Sequence, residues 1–376
     1  MDFSNYIDEQ ENYFKNGKTL PISKRKKLLK NLKKEILANE KEIFDVLEKD
    51  LRKSNYETYL TEIGILITEI DLFLKNIDNW AKPKKVKSSL LSFPSSDYVY
   101  SEPYGKILII SPWNYPFQLA ILPTMSAVAA GNTVVLKPSE HAPHTSKLIK
   151  DIIEKVFEKS HVLVIEGAAE TASKLLEYRW DYIFFTGSVR IGKIVAAAAA
   201  KTLTPITLEL GGKNPCIIDD TIDLKLAARR IVWGKFVNAG QTCIAPDFLI
   251  VKNNIKDKLI GELLSEIKRA YGENPENSED YPRIVNKTNL SRLSNLIEGT
   301  NIVYGGKYNI DTCYFSPTII DEPKIESPLM AEEIFGPILP VISYDNENEI
   351  EKLILKYEKP LALYVFSTNN KFSEKI

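Results

Sequence analysis

Three cysteines and three histidines are all that 376 residues contain. Cys216, Cys243 and Cys313 are too few and too scattered for a disulfide framework, and no CxxC pair offers zinc spacing. His141, His144 and His161 are the only imidazoles, which argues against a zinc or diiron centre. The amino terminus, Met-Asp-Phe-Ser-Asn, lacks the apolar core of a signal peptide. No apolar run reaches the roughly 18 residues that span a bilayer, since Leu119–Ala130 and Ile194–Ala200 are short and rich in alanine. Charge of either sign is not in excess: 49 Lys+Arg face 50 Asp+Glu, so the dense basic field of a nucleic-acid binder is missing. These absences predict a soluble, cytoplasmic chain without metal, nucleic-acid partner or membrane anchor.

What is present is ordinary globular composition, 44% hydrophobic and 26% charged, enough for two or three domains at roughly 150 residues each. The first eighty residues read as helices. Ser23 can cap a segment whose Leu28, Leu29, Leu32, Ile36 and Leu37 share one face, while Lys24, Arg25, Lys26, Lys27, Lys30, Lys33 and Lys34 read as its solvated face. A second helix is expected from Tyr59 to Trp80. Lys82–Tyr104 is basic and Ser-rich with a short alternating stretch at Tyr98–Ser101, the texture of a hairpin or arm.

From Lys106 short apolar strands (Ile107–Ile110, Thr133–Leu136, Val162–Ile165, Tyr182–Phe185) alternate with helical stretches. Such alternation implies an α/β, doubly wound parallel sheet, with ligands at the carboxyl ends of the strands. A second α/β region begins near Pro205–Leu210 and includes strands at Pro215–Ile218 and Phe248–Val251. Leu361–Phe366 reads as a buried strand, and Asn370–Ile376 as the first turns of a helix.

Cys243 is the sharpest candidate for chemistry. It follows Gly240-Gln241-Thr242 directly after an amphipathic helix, a setting in which nearby backbone N–H groups lower a thiol pKa and make a nucleophile. A small buried hydrophobe is the bland alternative, and it is the reading kept for Cys216 and Cys313, which lie in strand-like contexts. No histidine is placed for a Cys–His dyad, which weighs against a cysteine protease. Glu209 precedes Leu210-Gly211-Gly212-Lys213 at a strand mouth, where burial would raise its pKa and suit it to general-base work; a salt-bridge partner is the alternative.

Ser111-Pro112-Trp113-Asn114-Tyr115-Pro116 leaves a strand end, and its two prolines stiffen a loop in which Asn114 can be an oxyanion donor or simply a turn residue. Lys137-Pro138-Ser139-Glu140 ends the next strand and suits ribose hydroxyls. Phe185-Thr186-Gly187-Ser188 with Gly192 opens a helix and suits a pyrophosphate, although its glycines are five apart and do not form GxGxxG.

Taken in order with Glu332-Glu333-Ile334-Phe335-Gly336-Pro337, these six segments resemble the aldehyde dehydrogenase superfamily. The wording Ser-Pro-Trp-Asn-Tyr-Pro and Cys-Ile-Ala-Pro-Asp is similar to the class 3 (fatty and aromatic aldehyde) branch. The likeness runs from about Phe14 to the last residue. It implies a Rossmann-type NAD-binding domain (residues 1–81 and 103–208), an oligomerisation arm (82–102) and an α/β catalytic domain (209–376). Relatives continue past the Leu361–Phe366 strand, so the catalytic domain is expected to be C-terminally incomplete relative to the family.

By the same resemblance, Cys243 is the nucleophile, Asn114 the oxyanion donor and Glu209 the residue that activates water on a thioester. Trp113, Lys137, Glu140, Gly187, Ser188, Gly192, Glu333 and Phe335 are cofactor contacts, Lys137 and Glu140 at the adenosine ribose, Glu333 and Phe335 on the nicotinamide-ribose side. The cofactor implied is NAD, with NADP usable, the substrate a small-molecule aldehyde, and the assembly the family's homodimer. Two rivals remain. One is a CoA-acylating relative, against which Glu209 argues; the other is a non-catalytic, cofactor-binding chain, against which Cys243, Glu209 and Asn114 argue.

Overall fold

Two units make up the chain, as seen in a computed structural model that describes residues 2–376. The first comprises the residues up to Val46 and Thr58–Glu209, and the second comprises Leu47–Glu57 and Leu210–Ile376.

In the first unit the helix Ile22–Ala38 buries Leu29, Leu32 and Ile36 completely. Each contributes about 2 kcal/mol of apolar transfer. The helix begins two residues earlier than Ser23 capping would allow. Pro21 is its N-cap, and the Pro21 carbonyl accepts from the Lys24 and Arg25 amides. On its outer face Lys26 and Lys33 pair with Asp78 and Asp71 of the helix Gly64–Trp80. Arg25 departs from that face: it is buried, donating to the carbonyls of Thr19 and Ala129. The expected single helix from Tyr59 to Trp80 is broken by a π-helical turn over Tyr59–Ile63.

Residues 84–99 form an antiparallel pair, β1 (Lys84–Val86) with β2 (Asp97–Val99). Leu90, Leu91 and Phe93 between them are almost fully exposed.

Five parallel strands follow: β3 (Lys106–Ile110), β4 (Thr133–Lys137), β5 (Val162–Val164), β6 (Tyr182–Thr186) and β7 (Ile206–Glu209), in the order β5-β4-β3-β6-β7. β7 therefore belongs to the first sheet rather than opening the second region. β4 and β5 are buried along their whole length because crossover helices cover both faces, so Val134–Leu136 and Val162–Val164 are unbroken apolar runs. The chain winds from β3 outward to β5 and then returns to β6. That reversal puts the topological switch point at the carboxyl ends of β3 and β6, where sheets of this kind bind ligands.

His161, just before β5, is 1% exposed, stacks on Tyr13 and meets Phe157 edge-on. Its Nε2 has no hydrogen-bond partner among the described residues. Burial pushes its pKa down to about 4, so the native ring stays neutral while the unfolded ring protonates near 6.5. A depressed folded pKa stabilises fully above the unfolded value and is lost as pH falls toward the folded one. The first unit is thus expected to lose up to ~3 kcal/mol between pH 6.5 and 4 through this one residue. Denaturant titrations at pH 7 and pH 5 on wild type and His161→Leu would measure it, and an equal pH dependence in both would refute it.

In the second unit a six-stranded sheet is built from β8 (Pro215–Ile218), β9 (Phe248–Lys252), β10 (Ile302–Tyr304), β13 (Thr318–Asp321), β14 (Ile338–Tyr344) and β15 (Tyr364–Phe366). A separate small pair joins β11 (Tyr308–Asn309) to β12 (Tyr314–Phe315). The order in the main sheet is β10-β13-β14-β9-β8-β15, parallel except where β10 meets β13. Alternation along β8 decides its two cores. Cys216 and Ile218 join the cluster under the helices Leu224–Phe236 and Lys256–Tyr271, while Ile217 faces Phe248, Met330 and Ile350.

Two expectations change here. The last strand is shorter than Leu361–Phe366 and only half-buried, because it lies at the sheet edge. Cys313 lies in a turn with φ 53° rather than in a strand. Cys216 is fully buried, and burial pushes its thiol pKa far up, as an inert core cysteine requires.

Candidate active site

The carboxyl ends of the first sheet gather four of the segments singled out above. Ile110 lies opposite Lys137 and Phe185 on its two sides, and Thr186 opposite Glu209, so the loops after β3, β4, β6 and β7 share one edge. The turn after β3 is tied down at both ends. Ser111 donates its amide to the Lys137 carbonyl. The amides of Phe117 and Gln118 donate to Glu62 Oε2 at 2.8 and 3.0 Å. Glu62 is fully buried in the π-helical turn, its charge set at the amino terminus of the helix Gln118–Ala130 where the dipole favours it. Asn114, between these anchors, is 3% exposed, and Trp113 beside it is half-buried.

Lys137, at the end of β4, is buried and donates to Glu140 at 2.5 Å. Partial burial pushes the Glu140 carboxyl up, but the Lys137 hydrogen bond and charge outweigh it and hold it below the ordinary value. After β6, Gly187 is packed so closely that a Cβ there would lie 2.6 Å from the Phe185 ring. Ser188 caps the twelve-residue helix Val189–Ala200 by accepting from the Ile191 amide, and Gly192 is buried one turn on. Glu209 ends β7 with an exposed side chain, so the burial expected at that carboxylate is not found.

The second unit holds Cys243, Glu333 and Phe335. Cys243 follows a short stretch, Val237–Gly240, in which Asn238, Ala239 and Gly240 all have positive φ (52°, 50° and 73°). For the two non-glycine residues this costs about 1–3 kcal/mol each and persists only if the surroundings enforce it. They do. The Asn238 amide donates to Glu57 at 2.9 Å. Gln241, fully buried, donates to the carbonyls of Asn238 and Arg283 and accepts from the Val285 amide. Asn214 donates to the carbonyls of Cys243 (2.7 Å) and Ala245 (3.0 Å). The result is a rigid backbone under a partly exposed thiol.

Gly240 has no room for a Cβ, which would sit 2.3 Å from the Gly336 carbonyl oxygen. The cysteine turn therefore packs backbone to backbone against the segment carrying Glu333 and Phe335. The Glu333 carboxylate lies on the double glycine: a Cβ on Gly211 would come within 2.2 Å of it, and Gly212 donates a backbone hydrogen bond to it. Its Oε1 is buried without a partner among the described residues. Burial and the Asp247 charge push its pKa up to about 7, with Gly212, Lys235 and Arg292 pulling the other way. Lys235 is itself fully buried, and desolvation lowers it to about 8.

Four supporting residues escaped the sequence reading: Glu57, Glu62, Asn214 and Asp247. Only Glu62 left a signal, since it falls four and eight residues before Leu66 and Ile70 on an otherwise apolar stripe.

Comparison with known proteins accords with this arrangement. The family model described as "Aldehyde dehydrogenase family" matches residues 1–376. The chain is 44% identical to a 4,4'-diaponeurosporen-aldehyde dehydrogenase of Staphylococcus aureus over 97% of its own length and 80% of the relative's. It is 41% identical to a mouse aldehyde dehydrogenase named as dimeric and NADP-preferring, over 100% and 83% of the two lengths. A solved structure of a substrate-bound S. aureus AldH superposes with TM-score 0.97 at 43% identity, covering all of this chain and 82% of that one. With that family model matching residues 1–376 and with 41–44% identity to relatives over nearly all of this chain, the chain belongs to the aldehyde dehydrogenase family and is an NAD(P)-dependent enzyme of it.

Proposed function

We propose that this aldehyde dehydrogenase converts an aldehyde to the free carboxylic acid through a covalent intermediate on Cys243. The observation that carries the reading is the preorganised cysteine. Its carbonyl is held by Asn214, its turn by Glu57 and Gln241, and its side chain remains partly exposed. The Cys243 thiolate attacks the carbonyl carbon, and the Asn114 amide and the Cys243 N–H donate to the oxyanion of the thiohemiacetal. When bound, NAD supplies the acceptor for the hydride that leaves this carbon. A thioester remains on Cys243. Glu209, exposed to water, takes the proton from the water that attacks it, which releases the acid and restores the thiolate.

Three features fit a dinucleotide. Glu333 Oε1 is a buried acceptor lacking a donor, which a ribose hydroxyl would supply. The Lys137–Glu140 pair sits at the end of β4, and on this reading it takes the hydroxyls of the other ribose, with Trp113 in the turn after β3 a further contact. Gly187, Ser188 and the buried Gly192 open a helix whose amino terminus favours a pyrophosphate. Phe335, two residues after Glu333 and with φ 48°, is on this reading a further contact on the nicotinamide-ribose side.

On this reading residues 1–81 and 103–208 serve cofactor binding, residues 209–376 catalysis, and the arm 82–102, with Leu90, Leu91 and Phe93 exposed, the family's homodimer contact. NADH formation across a panel of aldehydes, with free acid assayed with and without CoA, tests the proposal. Acid release that requires CoA would replace it with acyl transfer.

Cofactor choice gives a smaller prediction. Glu140 repels a 2′-phosphate, while Lys137 partly offsets it, so NAD is expected to be preferred and NADP usable. Glu140→Gln should raise kcat/KM for NADP relative to NAD about fivefold, the equivalent of ~1 kcal/mol of screened repulsion. A wild-type enzyme far more efficient with NADP would contradict this.

A further inference from the structure

Lys213 follows the double glycine on which the Glu333 carboxylate rests, and the reaction above gives it no task. Its ammonium is buried, and all three donors are spent: on Asp247 Oδ2 at 2.5 Å and on the carbonyls of Leu329 and Glu332 at 3.0 Å each. The second oxygen of Asp247, Oδ1, accepts from the Ile334 amide at 2.9 Å, and the Asp247 amide donates to the Asn214 carbonyl at 2.8 Å. The pair thus grips the segment 329–334 at two carbonyls and one amide, and the last two of these grips flank Glu333. Below it, Gly211–Gly212 is the floor, continuous with Lys213 itself. One buried lysine therefore joins the floor of the Glu333 site to the strand of chain that carries the carboxylate across it.

Burying an ion pair is weak ground for stability, because desolvation offsets most of the attraction, and apolar residues of equal volume often do as well. What the ion pair supplies here is fixed directions to named main-chain atoms. A longer or looser link at 332–334 would let the carboxylate lift off the Gly211 backbone, where there is no side chain to catch it.

We propose that the Lys213–Asp247 pair is a positioning clamp that sets the Glu333 carboxylate for the ribose hydroxyls of the nicotinamide half of NAD. The proposal rests on the reading of Glu333 as a cofactor contact. Lys213 touches neither substrate nor cofactor and acts through Glu333.

The test compares wild type, Glu333→Gln, the charge-neutral double variant K213M/D247N and the triple variant that combines them. The Asn at 247 keeps an acceptor for the Ile334 amide and leaves no buried charge alone. Leu263→Ala, in the helix core of the same unit, controls for lost stability. The readouts are the Kd of NAD by calorimetry, KM and kcat for NAD at saturating aldehyde, and the melting temperature. Glu333→Gln should weaken NAD binding about tenfold, as expected for one charge-assisted hydrogen bond. K213M/D247N should weaken it to a similar extent, and the triple variant should be no worse than Glu333→Gln within about twofold, because both changes remove the same contact. Leu263→Ala should lower the melting temperature and leave Kd and KM within twofold.

A K213M/D247N protein that binds NAD like wild type, or a triple variant whose loss is the product of the two, would overturn the clamp. Should K213M/D247N not fold, K213Q/D247N, which keeps a polar side chain at 213 and again leaves no buried charge alone, is read in the same way: a loss absent from the Glu333→Gln background supports the clamp, and unchanged NAD affinity overturns it. Because binding is measured apart from turnover, a wild type that binds NAD yet oxidises no aldehyde would refute the proposed reaction while the Kd series still decides on Lys213.

Discussion

Replacing Cys243 by alanine is expected to abolish aldehyde oxidation, by about 10⁴-fold or more, because the covalent route has no other nucleophile. NAD affinity should stay within a few-fold, since the contacts attributed to the cofactor are made by other residues. The other two thiols are the natural controls. Cys216 is fully buried in the core beside β9, with its pKa raised by burial, so it cannot supply a thiolate. Cys216→Ala should cost about 1–2 kcal/mol of stability through its cavity and leave turnover within a few-fold. Cys313, in its left-handed turn, should tolerate Asn with the same lack of effect on rate. Oxidation that survives in Cys243→Ala, or that disappears in Cys313→Asn, would sink the assignment.

Glu209→Gln should separate the two halves of the reaction. Hydride transfer needs no base on water, so the first turnover should give a burst of NADH equal to the enzyme present. The steady state should then fall about 10²-fold or more, as thioester hydrolysis loses its general base. Stopped-flow absorbance followed by steady-state rates would show both phases in one trace. The exposed position of Glu209 gives water direct access to it but removes the burial that sequence reasoning had invoked to tune it. Glu333 presents the opposite case, a carboxyl that burial has pushed up to about 7, within range of a base at neutral pH. If Glu209→Gln leaves the steady rate unchanged and Glu333→Gln removes it, the role of base passes to Glu333.

Much of this was legible in the residues alone. Strand–helix alternation is a local signal, each strand and helix being legible within its own short window, and it located β3, β4, β5 and β6 to within a residue or two. The motifs at the strand ends carried the family resemblance because they are contiguous words whose residue types suit their chemistry. Family membership, the enzyme class and the dependence on NAD(P) were therefore determined before any coordinates. The sequence pattern failed where a side chain's partner lies far along the chain. Glu57 meets Asn238, Glu62 meets Phe117, and Lys213 meets Leu329 and Glu332, across 55 to 181 positions. Periodicity reports which face of an element is apolar, not which distant loop a buried charge will reach. The π-helical turn, the run of positive φ before Cys243 and the nest of Glu333 on Gly211 are of the same kind. Each is locally unfavourable and exists only because the packed fold supplies the hydrogen bonds and the missing Cβ that make it the lowest-energy arrangement.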